Sequence, residues 1–330
     1  MAVISTAVLL VMFAAGAAAG TVTGLGATQN AAIRAAEAWV FIKNPPPNPN
    51  APKPDLHKPL HIPGSTRTYT LAQWTMFSPL DWFPQDHPPM PQVVGRGRKP
   101  AWACAVCHQP SGEGEPITAS LAGLPMAFII EQIQAFRSGE RSGSGDVPKM
   151  NEEARNLDDA DLQQAAAYFS KLKFTPVTRV VETANVPKTH IAEYELVPDA
   201  SGAREPIGER IIETTKNFAH YQIGDDHDGF VAYVPPGSIA RGAVIAAKGE
   251  GRAPPCESCH GAKLEGQTMP GIGIVPPLAG RSPTYIVREM ILFQIGKRAN
   301  PGAAPMRLEA SHLTVPEMID VAAYAASRKP

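Results

Sequence analysis

The chain has 330 residues, room for two or three domains, and its charges nearly cancel, with 30 Lys and Arg against 31 Asp and Glu. That balance excludes the basic stripe that nucleic acid requires. The 34 prolines exceed average usage and point to long irregular connections rather than one regular bundle.

Residues 1 to 33 carry no charged side chain, and Ile4 to Ala19 is an apolar run that closes on the small-residue pattern Ala17-Ala18-Ala19. Residues 1–30 read as an export signal or an N-terminal membrane anchor. No Lys or Arg precedes the run, which departs from the signal pattern. Continued through Ala and Gly to residue 27 it reaches spanning length, though it is only weakly apolar, and a buried helix is the bland alternative. The stretch 31–90 is a Pro-rich spacer and aromatic arm. Ala31 to Lys43 predicts a short amphipathic helix. Asn44-Pro45-Pro46-Pro47-Asn48-Pro49-Asn50, with Pro52 and Pro54 beyond, predicts an extended spacer. Trp74, Phe77, Trp82 and Phe83 then stand among prolines. They read as an irregular arm packed on the next domain, with a partner-docking surface as the sharper alternative.

Two copies of one motif follow, Cys104-Ala105-Val106-Cys107-His108 and Cys256-Glu257-Ser258-Cys259-His260, and together they use all four cysteines of the chain. C-x-x-C-H is the pattern of covalent c-type haem attachment. Two thiols on one helical turn each add across a haem vinyl group, and the following imidazole comes under the iron as its proximal ligand. Half of a zinc ribbon would not need the histidine. A thioredoxin-like pair belongs beside a βαβ unit, and none flanks either copy. Structural disulfides would leave both histidines unexplained.

The similarity of the two regions 91–173 and 236–330 extends beyond these motifs. Leu121-Ala122-Gly123 answers Leu278-Ala279-Gly280, and Phe128-Ile129 answers Tyr285-Ile286. Phe136, Gly139 and Arg141 answer Phe293, Gly296 and Arg298, and Met150 answers Met306. One structural unit is used twice. Phe128, Ile129, Ile133 and Phe136 fall on one helical face, with Gly139 where that helix would end. Thr314 with Glu317 is a capping box opening the last helix, and Asp158 with Asp161 is its counterpart. Residues 174–235 match neither copy. Val177, Val180-Val181, Ile191 to Leu196, Ile211-Ile212 and Phe230 to Val234 are β-prone clusters broken by Pro and Gly, which predicts a small β-rich connector. Ser238 to Ala247 predicts the opening helix of the second copy.

His108 and His260 supply one axial bond to each iron. For the sixth position the candidates are Met150 and Met306, each closely following a proline (Pro148 and Pro305). A thioether on an extended loop reaches across the haem face, and Met/His ligation raises the potential. Met290 and Met318 lie within helical patterns and read as core. Met126 and Met269 lack counterparts in the other copy, and His312 is the main alternative in the second unit. His57, His61 and His87 read as arm histidines.

Each copy resembles a class I cytochrome c in its haem motif, Leu-Ala-Gly loop, helix, methionine segment and last helix. The pair resembles the tandem dihaem cytochromes of the c4 kind, electron shuttles of the bacterial periplasm. The resemblance implies a mainly α fold of two cytochrome c domains (91–173 and 236–330) with two covalently bound haem c groups, while the arm at 55–90 and the β-rich connector at 174–235 depart from the compact tandem form. It also implies that a proline two positions before the loop leucine accepts the proximal histidine's N–H. Pro276 matches this, whereas Ala119 replaces it in the first copy. The expected function is an exported dihaem carrier that passes single electrons between redox proteins, periplasmic or on the outer face of the cytoplasmic membrane, where an uncleaved N-terminus would associate it with the membrane. The rivals are a dihaem peroxidase-like enzyme, which needs one open or displaceable iron site, and a cytochrome subunit docked on a dehydrogenase or oxidase.

Overall fold

A computed structural model describes residues 26–50, 52–143, 149–249, 251 and 253–330. The expected signal or anchor lies outside the described residues as far as residue 25. Among the described residues, no helix is long and apolar enough to cross a membrane. Helix α1 (Ala27–Val40) begins one turn earlier than the predicted Ala31. Its inner face, Ile33, Ala36, Trp39 and Val40, is buried.

Among the described residues from Asn44 to Met90 there is no α-helix. Trp82 is 1% exposed and packs with Ile62, Leu80 and Phe83. Its indole N–H donates to the carbonyl of Ile223 (2.7 Å), and Tyr69 meets its ring edge-on at 4.8 Å. Phe83 stacks on His227. These aromatics form a small core against the connector, and of the four only Trp74 is exposed, so the arm does not present them together as a docking surface. His87 is less exposed than the sequence suggested, bonded to Asp81 (3.2 Å).

The first copy contains α2 (Gln92–Gly95), α3 (Ala105–His108), α4 (Met126–Ser138), α5 (Lys149–Asn156) and α6 (Asp159–Lys171). Gly139 ends α4 in the left-handed region at φ 85°, which glycine adopts without steric cost. Asp158 caps α6, accepting from the Asp161 N–H (2.7 Å). Leu162, Ala166 and Phe169 face inward, each at most 1% exposed. α4 packs on α5 and α6.

The connector strands are β1 (Thr178–Glu182), β2 (Asn185–Pro187), β3 (Thr189–Ala192), β4 (Glu195–Pro198), β5 (Arg204–Pro206), β6 (Ile212–Thr215) and β7 (Phe230–Val234), with the short helix α7 (Phe218–Tyr221) before the last. Five of them form one sheet in the order β1-β7-β6-β4-β3, while β2 and β5 pair separately. β1 runs parallel to β7, with Val180 beside Ala232, and β6 is antiparallel to β7, with Ile212 beside Tyr233. The β-prone clusters around Val180, Ile191, Ile212 and Phe230 all fall in this sheet.

The second copy contains α8 (Ser238–Lys248), α9 (Cys256–His260), the hairpin β8 (Gln267–Met269) and β9 (Gly273–Val275), then α10 (Pro283–Gln294), α11 (Ala304–Ser311) and α12 (Val315–Ser327). The Thr314 capping box forms as expected, with Thr314 N–H donating to Glu317 (2.7 Å). α8 crosses α12 at Gly242, where a Cβ would stand 1.9 Å from the Asp320 carbonyl oxygen. α1 lies across α10 and α12. One apolar core runs from Ile33 and Trp39 through Ile212 and Val234 of the sheet to Ile291, Met318 and Ile319. The first copy has its own core around Val94, Ile129, Ala166 and Phe169.

Candidate functional site

Each C-x-x-C-H motif folds into a single helical turn, α3 with Cys104 at its N-cap and α9 starting at Cys256. All four cysteines are free thiols. Burial pushes Cys104, Cys107 and Cys256 up to about 12. The two histidines are 7% and 5% exposed, and burial holds both rings below the ordinary imidazole range. His108 Nδ1–H donates to the Ala119 carbonyl at 2.8 Å, and His260 Nδ1–H donates to the Pro276 carbonyl at 2.8 Å. A donor at Nδ1 makes the neutral ring an acceptor at Nε2, the tautomer a metal needs, and the carbonyl raises its basicity. The alanine at 119 accepts at the same distance as the proline.

The residue after each histidine has the same backbone conformation. Gly261 stands at φ 85°, ψ 154°, and Gln109 at φ 64°, ψ 155°, a region that is essentially glycine's alone. Gln109 is also buried with its side-chain oxygen unpartnered. Gln109→Gly is therefore expected to stabilise the first unit by about 1 kcal/mol through strain relief. Denaturation followed at the first unit's absorbance tests this, and destabilisation would show that the glutamine side chain contributes more than its backbone costs.

Met150 and Met306 lie in the first turns of α5 and α11, where the sequence reading placed extended loops. Pro305 falls within the first helical turn of α11, a position where its fixed φ and missing N–H favour helix rather than oppose it. Glu153 of α5 accepts the Trp102 N–H (2.7 Å) and pairs with Lys149 (2.8 Å), so α5 lies beside the first attachment turn. Met306 and Cys256 both pack on the large core. His312 is the C-cap of α11, while Met290 and Met318 are buried in the core.

A second cluster went unseen in the sequence. Arg141 and Arg298 meet as an antiparallel bridge, flanked by Ser142 N–H to Lys297 O (2.8 Å) and Ala299 N–H to Glu140 O (2.7 Å). Arg141 donates to Gln132 (2.8 Å) and Glu289 (2.9 Å), and Arg298 donates to Glu289 (2.7 Å) and Gln132 (2.8 Å). Each guanidinium also lies over its own unit's phenylalanine, Phe136 at 4.4 Å and Phe293 at 4.2 Å. The result is a closed, nearly two-fold ring joining the two copies. Burial would raise the Glu289 carboxyl, but Arg141, Arg298 and Arg288 outweigh it and hold it below the usual range. The repeat alignment had already matched Arg141 with Arg298. The same offset matches Gln132 with Glu289, and that shared spacing is the signal that could have found the cluster.

The donor set fits a covalently held haem in each unit: two thiols on one turn, a neutral buried histidine with Nε2 free for iron, and a methionine segment close by. The Nε atoms of Arg141 and Arg298 are buried without a partner, which suits an anionic edge such as a haem carboxylate.

Comparison with known proteins follows the same lines. The family model for cytochrome c matches residues 94–173. A cytochrome c4 of Pseudomonas aeruginosa is 34% identical over 230 residues, covering 69% of this chain and 85% of its own. A protein of Thiomonas intermedia described as a thiosulfate dehydrogenase electron acceptor is 24% identical, covering 69% and 79%. A solved cytochrome c4 from Acidithiobacillus ferrooxidans is 24% identical, covers 68% and 98%, and has a TM-score of 0.44.

Proposed function

Because the chain belongs to the cytochrome c4 family of dihaem electron carriers, we propose that it passes single electrons between redox proteins outside the cytoplasm through haems held at Cys104, Cys107 and His108 and at Cys256, Cys259 and His260. The observation that carries this reading is the duplicated histidine geometry, the same 2.8 Å Nδ1–carbonyl bond beside two free thiols in both units. In this reading residues 91–173 and 236–330 are the two haem domains, and Met150 and Met306 are the sixth ligands. The apolar N-terminal run supports export, as a cleaved signal or as an anchor.

One-electron exchange is the chemistry that bound haem supplies. The chain's own contribution is positional and electrostatic. The carbonyls of Ala119 and Pro276 orient the imidazoles and raise their basicity. Burial around His108 and His260 lowers the local dielectric, and thioether ligation raises the potential. The arginine ring sets the spacing of the two units.

Denaturation in acid acetone tests attachment. Both haems are expected to stay with the protein, and its mass is expected to exceed that of the polypeptide by two haem groups. Release of haem into the solvent, or one haem only, sinks the tandem reading. A second reading, a subunit docked on a dehydrogenase, draws support from the similarity to the thiosulfate dehydrogenase electron acceptor.

A further inference from the structure

Between the first attachment loop and the connector sheet lie carboxylates that are not balanced by cations. Glu195 of β4 is 0% exposed, and neither of its oxygens has a hydrogen-bond partner. It faces Glu115 of the attachment loop and Glu213 of β6, as well as Tyr221 of α7. Glu213 is satisfied by Thr178 Oγ1 (2.9 Å), Ser282 Oγ (2.8 Å) and Thr284 N–H (3.3 Å). Glu115 receives only a long bond from the Tyr221 hydroxyl (3.4 Å), which is shared with the Glu193 carbonyl (3.3 Å).

Glu115 is tied to the attachment turn. Its N–H donates to Thr118 Oγ1 (2.9 Å), and that hydroxyl donates to the Cys107 carbonyl (2.7 Å). Its charge reaches the Cys107 sulfur. The other charged groups facing that sulfur, Lys149 and Glu153 of α5, neutralise each other at 2.8 Å. Neighbouring Glu113 has the Thr175 N–H (2.9 Å) and the field of Arg281. A small cavity lined by Glu113, Glu115, Ser120, Thr178 and Ser282 reaches this place. In the second unit Gly266 N–H bonds the His260 carbonyl (2.7 Å) as Gly114 N–H bonds that of His108 (3.2 Å), so the neutral Gln267 stands where the first unit has Glu115.

We propose that Glu115, backed by the buried Glu195, takes up one proton when the first haem is reduced, so that this unit of the cytochrome moves a proton together with its electron. The inference rests on the reading of Cys107 as a haem-bearing residue. The step balances: an electron from a reduced redox protein converts ferric to ferrous iron, and the Glu115 carboxylate binds one proton from solvent to become a carboxylic acid. Oxidation reverses both. The cause is the cost of uncompensated buried charge. The ferric centre favours the carboxylate, and its loss of charge on reduction leaves Glu115 facing Glu195 and Glu213 with no cation. Burial already pushes Glu115 up to about 8 and Glu195 well above its ordinary value, so the exchange falls near neutral pH.

The sign follows from linkage. Glu115 binds its proton more tightly in the reduced form. Below the oxidised-form pKa and above the reduced-form pKa the potential is flat, and between them it falls as pH rises. The limiting slope is about 59 mV per pH unit, one proton per electron. Spectroelectrochemical titration of the holoprotein across neutral and alkaline pH is expected to show that slope at one haem and a nearly flat potential at the other. Glu115→Gln is expected to abolish the slope with both haems still attached. Tyr221→Phe removes a donor to the carboxylate and is expected to move the sloping window to higher pH. A reduction-induced infrared band of a protonated carboxyl is expected in the wild type and absent in Glu115→Gln. A slope that survives Glu115→Gln, or equal slopes at both haems, overturns the proposal. A wild-type protein without two covalent haems overturns the underlying reading instead, and mass spectrometry separates the two failures.

Discussion

Gly242→Ala is expected to destabilise the second unit by about 3 kcal/mol or more, at the upper end of overpacking costs. The added methyl would stand 1.9 Å from the Asp320 oxygen and 2.5 Å from its carbonyl carbon, and both belong to backbone that cannot rotate away. α8 must therefore withdraw from α12. That exposes Ile245 and Ala246 on one side and Ala322 and Ala323 on the other, all buried, and strains the Arg241–Asp320 pair (2.8 Å). Folded domains hold only about 5–15 kcal/mol in reserve, so haem incorporation in this unit should fall as well. Val244→Ala, two residues along the helix at a 49% exposed position, is the control and should stay within about 0.5 kcal/mol. Chemical denaturation followed at each haem measures both. A Gly242→Ala protein as stable as the control would mean that the helices are not in close contact there.

Met306→Ala is expected to open the second haem alone. The proposed ligation fills both sixth positions, so the unmutated ferrous protein should bind carbon monoxide slowly and incompletely. The variant should bind it quickly at one haem, lose that haem's methionine signature and drop its potential by on the order of 0.2 V, within the roughly 0.8 V span that axial ligands command. Met150→Ala should do the converse. If the unmutated protein binds carbon monoxide fully at one haem, or reduces peroxide efficiently when half-reduced, the carrier reading gives way to the peroxidase one. If Met306→Ala changes neither ligand binding nor potential, His312 becomes the ligand to test.

What could be read from the sequence was local or repeated. The C-x-x-C-H turns, the Thr314 and Asp158 caps, the Gly139 stop and the β-prone clusters depend on residues within one turn or one strand, where spacing carries the signal. The sequence reading places Met306 on an extended loop just after Pro305, whereas a proline in a first turn is compatible with a helix start. Gly242, the arginine ring and Glu195 were not legible for a different reason. Each owes its role to a segment far along the chain: Asp320 above Gly242, Gln132 beside Arg298, Glu115 opposite Glu195. A buried glutamate reads in sequence as a solvated one, and the Gln109 backbone gave no sign of strain until its partner Gly261 could be compared in space. The arm aromatics read as packed on a neighbouring domain, but that Trp82 lies against Ile223 of the connector cannot be inferred from residues 55–90.

The Arg141–Arg298 bridge has the form of an isologous dimer contact, in which the same patch meets its own copy about an axis, except that both copies belong to one chain. Two free-standing units would meet only in proportion to their concentration, whereas covalent connection keeps the second always near the first. The contact between the two units is thus as available in dilute solution as in a crowded one. Covalent connection also permits something a homodimer cannot do. A homodimer changes both sides of its axis with every mutation, so its two sites stay equivalent. Here one side carries Gln132 and the other Glu289, a single negative charge added on one half only. Duplication within a chain is what allows two chemically similar sites to become distinguishable.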